Sequence, residues 1–192
     1  GFDLGPGAVC APCIARPPRW NRARATMVYE AASRRPVLDL KRSGRRDGLE
    51  TLANWMLQSG RSLVDEADLI VPVPLHYARL VRRGFNQSGW LAQEISHLSG
   101  TPVMVDAIKR TRRTPTQGGP SARDRRRNVA GAFTIKERTA TRISGRRVLR
   151  VDDVLTTGAT VSACTRALKQ AGAENVDMLV LARVVRETDV TI

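Results

Sequence analysis

The chain has 192 residues, 42% hydrophobic and 26% charged, which suits one packed globular domain with at most a small appendage. Thirty-two Lys and Arg against eighteen Asp and Glu give a net charge of +14 and an isoelectric point of about 11.3. Such a field draws nucleic acid, phosphates and acidic partners; an arginine-rich genome accounts for it equally, since only four of the basic residues are Lys. No apolar run approaches the roughly 20 residues that a membrane helix needs, which excludes a helical span. Three cysteines, one isolated, do not make a disulfide framework, so a reduced cytoplasm is expected. No basic-plus-apolar leader stands before Gly1, so the chain is expected to lack its natural start rather than to be secreted.

Residues 1–22 are rich in Gly and Pro, follow no helical or strand period, and carry a Cys-x-x-Cys; they are expected to form a small appendage to a main domain at 23–192. "RATMVYE" is expected as a strand. "SRRPVLDLKRSG" predicts a short helix with Ser33 as cap, Pro36 in the first turn and Gly44 as stop. "GLETLANWMLQSG" puts Leu49, Leu52, Ala53, Met56 and Leu57 on one helical face. "DLIVPVP" is a strand-length apolar run ending in prolines. "NQSGWLAQEISHL" predicts a helix with Leu91, Ile95 and Leu98 on one stripe, and "TPVMVDAI" a short strand. Residues 109–130 are polar and basic, after which "GAFTI" and "RRVLRVDDV" read as strands. "TVSACTRALKQAG" predicts a helix closed by Gly172, and "NVDMLVLARVV" a last strand. Alternating strands and helices imply βαβ units around a parallel sheet with helices on both faces. Ligands then sit beyond the carboxyl ends of the strands.

That rule puts Asp152 and Asp153 of "VLRVDDVLTTGAT" at the mouth of a crevice. Gly158 lets successive N–H groups point inward, Thr156, Thr157 and Thr160 add hydroxyl donors, and the next helix offers its positive dipole end. An anion there gains roughly 0.3–2 kcal/mol. Two carboxylates would repel a bare phosphate but can hold sugar hydroxyls, so the ligand implied is a sugar phosphate. A helix cap explains one such residue and not seven in a row.

This segment resembles the phosphoribosyl-pyrophosphate motif of type I phosphoribosyltransferases. With "DLIVPVPLHYARLVRRGFNQSGWLAQEIS", "RTRRTPTQGGPSARDRRRNVAGAF" and the Cys-x-x-Cys, the whole chain is similar to the ComF family, associated with DNA uptake in competent bacteria. The resemblance implies the type I phosphoribosyltransferase fold. It implies Asp152 and Asp153 on the ribose hydroxyls and Thr156, Thr157, Gly158, Ala159 and Thr160 on the 5′-phosphate. Val71, Pro72, Val73 and Pro74 would meet pyrophosphate, magnesium would enter with phosphoribosyl pyrophosphate, and residues 110–127 would form the loop closing over the site. Two departures stand out. Arg150 takes a place where a buried strand wants Leu or Val, so it is expected to face an acid or to lie where the sheet is uncovered. Pro120 replaces a more usual apolar residue.

Between Lys109 and Arg127 there are eight basic residues and one acid, Asp124. Arg112, Arg113, Arg123, Arg125, Arg126 and Arg127 either stabilise a pyrophosphate leaving group or neutralise nucleic-acid phosphates; a solvated loop without a ligand is the plain alternative. The loop holds no aromatic residue. Phe85 is the best candidate for stacking a base, Trp20 the next, while Trp55 and Trp90 are expected in the core. Cys10 and Cys13 have zinc-ribbon spacing but only two ligands; by resemblance the missing pair would lie upstream, leaving an incomplete zinc knuckle. Cys164 is expected as a small core residue, and His76 as a surface-loop residue rather than a ligand contact. Three functions remain: an accessory protein of natural transformation meeting single-stranded DNA or a competence helicase, an active phosphoribosyltransferase in nucleobase salvage, and a ligand-sensing regulator. No segment is identified as the hood that builds an acceptor pocket.

Overall fold

A computed structural model describes residues 14–15, 17–42, 46–75, 77–111 and 131–185. Four parallel strands form the central sheet in the order β1-β6-β5-β2: β1 Ala23–Val28, β2 Leu69–Pro72, β5 Arg147–Leu155 and β6 Asn175–Arg183. β3 (Ile108–Arg110) and β4 (Phe133–Ile135) make a separate antiparallel pair. The helices are α1 (Ala31–Arg42), α2 (Leu49–Ser59), α3 (Arg61–Asp65), α4 (Tyr77–Arg83), α5 (Gln87–Ser99), α6 (Glu137–Ile143) and α7 (Ala159–Gln170).

The period-two alternation of the strands splits the core into two layers. On one face Ile70, Leu149, Val151, Leu179 and Leu181 pack under α1, α2 and α5. On the other, Leu69, Val71, Val148 and Val176 pack with Ala163, Cys164 and Leu168 of α7, Ile143 of α6 and Phe133 of β4. The face expected for α2 is the buried one, and Leu91 and Ile95 of α5 are fully buried. Each such side chain contributes roughly 1.5–3 kcal/mol by leaving water. Cys164 is fully buried as expected, and burial pushes its thiol up to about 11.

Some local expectations change. Residues 101–107 form no strand, only one parallel bridge of Val103 to Ile70 beside β2, and the strand that follows begins at Ile108. At the bridge Pro102 supplies a carbonyl and no donor: the Ile70 N–H donates to the Pro102 carbonyl at 2.8 Å, and the Ile70 carbonyl accepts from the Met104 N–H at 2.9 Å. α1 starts two residues before Ser33, which is its third residue. The Ser33 hydroxyl accepts from the Glu30 N–H at 2.9 Å, closing one half of a capping box. Trp55 is 45% exposed and shares a cleft of about 580 Å³ with Arg35, Asp39 and Thr51 instead of entering the core. Trp90 does pack against the core. Asn21 and Arg22, ahead of β1, are bonded to β6: Asn21 donates to the Val176 carbonyl at 2.8 Å, and Arg22 joins Asp177 and Glu66.

Candidate functional site

The carboxyl ends of β2 and β5 lie side by side, with Pro72 opposite Val151 and the Val73 N–H on the Val151 carbonyl at 2.9 Å. Val71–Pro74 are buried there, next to the paired acids of β5. Beyond β5 the chain turns through Thr156, Thr157 and Gly158 into α7. Gly158, at φ 69°, is the N-cap and provides no side-chain cap for the first-turn N–H groups of α7. A Cβ at Gly158 would stand 2.8 Å from the Trp20 ring. Trp20, a stacking candidate by sequence, therefore packs beneath the turn, with Val161, Met178 and Val180. Thr156 is exposed, Thr157 and Thr160 half-buried, and Ala159 buried. These residues and the acids converge on one end of the sheet.

The two acids differ. Asp153 is 6% exposed and already held on both oxygens: Oδ1 accepts from the Val154 N–H at 2.7 Å, while Oδ2 takes Gln87 Nε2 at 3.0 Å and pairs with Lys41 Nζ at 3.1 Å. Asp152 accepts from Ser88 Oγ at 2.9 Å and the Asp153 N–H at 3.0 Å, among the described residues through Oδ1 alone. Burial and then the Asp153 charge push its carboxyl up to about 7, against the Ser88 hydroxyl and the Arg150 charge, which both favour ionisation.

Arg150 is completely buried on the α7 side of the sheet, which removes the uncovered-sheet expectation. Its Nη1 donates to the Val161 carbonyl at 2.9 Å, and its charge bears on Asp152 and Cys164. Nε and Nη2 have no partner among the described residues.

Four supporting residues had no role assigned from sequence. Asn86 Nδ2 donates to the Val73 carbonyl at 3.0 Å, so Asn86, Gln87 and Ser88 in turn hold the β2 loop, Asp153 and Asp152. Lys41 reaches Asp153 from α1. The available signal was three polar residues in a row where an otherwise apolar helix begins. Phe85, favoured for stacking a base, instead lies on Trp90 with centroids 4.2 Å apart and planes at 9°, and Arg46 covers Trp90 at 5.0 Å. Cys10, Cys13, His76, Pro120, Arg112, Arg113, Arg123, Arg125, Arg126 and Arg127 lie outside the described residues.

Among the described residues no three His, Cys, Asp or Glu gather to hold a metal by themselves. Asp152 with the phosphates of a ligand is a donor set that suits magnesium, which keeps several waters and takes one or two carboxylates.

A parallel sheet with a β2 loop, paired acids and a Thr-Gly turn at its carboxyl edge defines an α/β protein of the type I phosphoribosyltransferase class. The family model described as "Phosphoribosyl transferase domain" matches residues 57–190. Competence protein F of Haemophilus influenzae is 40% identical over 116 residues, 60% of this chain and 50% of that protein. DNA utilization protein YhgH of Salmonella typhi is 36% identical over 189 residues, 95% of this chain and 82% of that protein. A purine phosphoribosyltransferase structure from Pyrococcus horikoshii Ot3 covers 83% of this chain and 89% of its own at 17% identity, with a TM-score of 0.41. The chain belongs to the phosphoribosyltransferase family, in the group that holds competence protein F and YhgH. It spans half the length of that competence protein F.

Proposed function

We propose that this chain binds phosphoribosyl pyrophosphate with magnesium at the β5–α7 turn and serves in the handling of DNA taken up by the cell. The names of its relatives, competence protein F and DNA utilization protein, support the second half. Its setting is the cytoplasm, and no helix among the described residues is long and apolar enough to cross a membrane. Its partners are single-stranded DNA or a helicase acting on it.

The observation that carries the first half is the half-satisfied Asp152 beside an uncapped helix start. Its carboxylate accepts from ribose hydroxyls, while the Thr156, Thr157 and Thr160 hydroxyls and the first N–H groups of α7 take the 5′-phosphate. Bound magnesium would screen the pyrophosphate charge beside the buried β2 loop. Calorimetric titration of phosphoribosyl pyrophosphate with magnesium tests this. Saturable binding that Asp152→Asn weakens about tenfold or more is expected; no binding, or equal affinity in the variant, rejects the assigned site.

The Lys41–Asp153 pair favours a regulatory reading over a catalytic one. A ribose hydroxyl that engages Asp153 must compete with Lys41 and so loosens α1, which couples ligand to helix position. Turnover of phosphoribosyl pyrophosphate with any nucleobase would reverse that preference.

A further inference from the structure

Helix α4 follows the β2 loop directly and buries none of its side chains. Tyr77 is 73% exposed, Leu80 39% and Val81 63%, three of the large exposed apolar residues of the described chain on one seven-residue helix. Interleaved with them are Arg79, Arg82 and Arg83, and residues 69–93 contain no Asp or Glu. The charges that bear on Arg79 are those of Arg82 and Arg83, and Arg79 in turn bears on Arg110 of β3. Like charges gathered at an exposed helix repel one another unless an anion is among them. Arg83 Nη1 also donates to Gln87 Oε1 at 3.3 Å, and Gln87 holds Asp153, so the last residue of α4 is tied to the start of α5.

We propose that α4 is a docking surface for single-stranded nucleic acid, with a base stacked on Tyr77 and backbone phosphates on Arg79 and Arg82. The charge calls for an anion, and the exposed ring among arginines selects one with flat apolar faces. Single strands offer both and duplexes hide the second. The proposal rests on the DNA-handling reading above and names the element that makes the contact.

The test is fluorescence anisotropy of a labelled oligothymidylate of about 15 nucleotides, titrated at several salt concentrations with the full chain and three variants. Tyr77→Ala is expected to weaken binding roughly 5- to 100-fold, following the usual worth of one stacked base. Tyr77→Phe, which keeps the ring, should bind like the parent. Arg82→Ala should lower the slope of log affinity against log salt by about 0.7. All three should take up phosphoribosyl pyrophosphate unchanged, since neither position touches that site, and this also shows that they fold. Parent-like oligonucleotide binding by Tyr77→Ala and Arg82→Ala overturns the α4 assignment while leaving the DNA role intact. Absence of oligonucleotide binding in the parent overturns the α4 assignment and the direct single-strand contact together, leaving the helicase as the partner in DNA handling. Loss in that case of binding to phosphatidylglycerol vesicles in the same variants would assign α4 to an anionic lipid surface instead.

Discussion

Asp152 is a residue on which pH acts near neutrality. Its carboxyl titrates near 7 because burial and Asp153 disfavour its charge more than Ser88 and Arg150 favour it. The folded state thus holds a proton that an unfolded Asp, titrating near 3.8, has released. Between those two values the native state binds the extra proton, so this group's contribution to stability falls as pH rises from about 4 to 7. Asp152→Asn should remove that fall, visible as a flatter dependence of denaturant midpoint on pH. Ligand affinity should run the other way and increase as pH passes through about 7, because the ionised form accepts ribose hydroxyls. A pH-independent affinity in the wild type would contradict the role given to Asp152. Arg150 works at the same scale: its buried guanidinium, anchored by the Val161 carbonyl of α7, opposes that upward shift.

Among the elements, the corner between α2 and α3 is closely packed. Gly60 ends α2 and starts α3, and a Cβ there would stand 2.6 Å from Leu179 Cδ1. Leu179 is fully buried in β6, so it has little room to withdraw. Gly60→Ala should lower stability by roughly 1–3 kcal/mol through overpacking, measured by chemical denaturation. An unchanged midpoint would mean that the corner yields. α5 has two tasks: its buried Leu91 and Ile95 secure it to the sheet, and its first residues hold the site. Stability and ligand geometry are therefore joined in one helix. The hydrophobic stripe of α5 is legible from its spacing. The polar triple at its start is legible only as an oddity, because its partners lie 64 and 66 residues further along the chain.

For the whole molecule, the net charge of +14 sets the long-range field. Replacing Arg125, Arg126 and Arg127 by Ala should flatten the salt dependence of single-strand binding, with a slope reduced by up to about 2. If the slope is unchanged, those arginines are not contacts and the field is read elsewhere, as at α4. The N-terminal approach to the sheet is tied down by a small charge network. Arg22 bridges Asp177 on β6 and Glu66 after α3, and Arg147 on β5 also meets Glu66. These groups join the edge where the chain enters the domain, at the end of the strands opposite the ligand turn.

Periodicity and local chemistry were enough to determine the parallel α/β class, the buried faces of α2 and α5, and the glycine-centred turn between β5 and α7. Each of these signals is contained within a few neighbouring residues. Helical stripes repeat within four positions, strands alternate every second residue, and a glycine among threonines before a helix carries its meaning with it. What only the tertiary structure decided is how polar groups pair across the chain. Asp153 is satisfied by Gln87 and by Lys41 from a helix near the other end of the domain, while Asp152 is left partly open. Phe85 is taken up by Trp90, Trp20 lies under Gly158, and α4 buries no side chain. A buried carboxylate requires partners, but nothing in its own neighbourhood says which distant side chains supply them, and in this chain that choice leaves two adjacent aspartates unlike, Asp153 held on both oxygens and Asp152 on one.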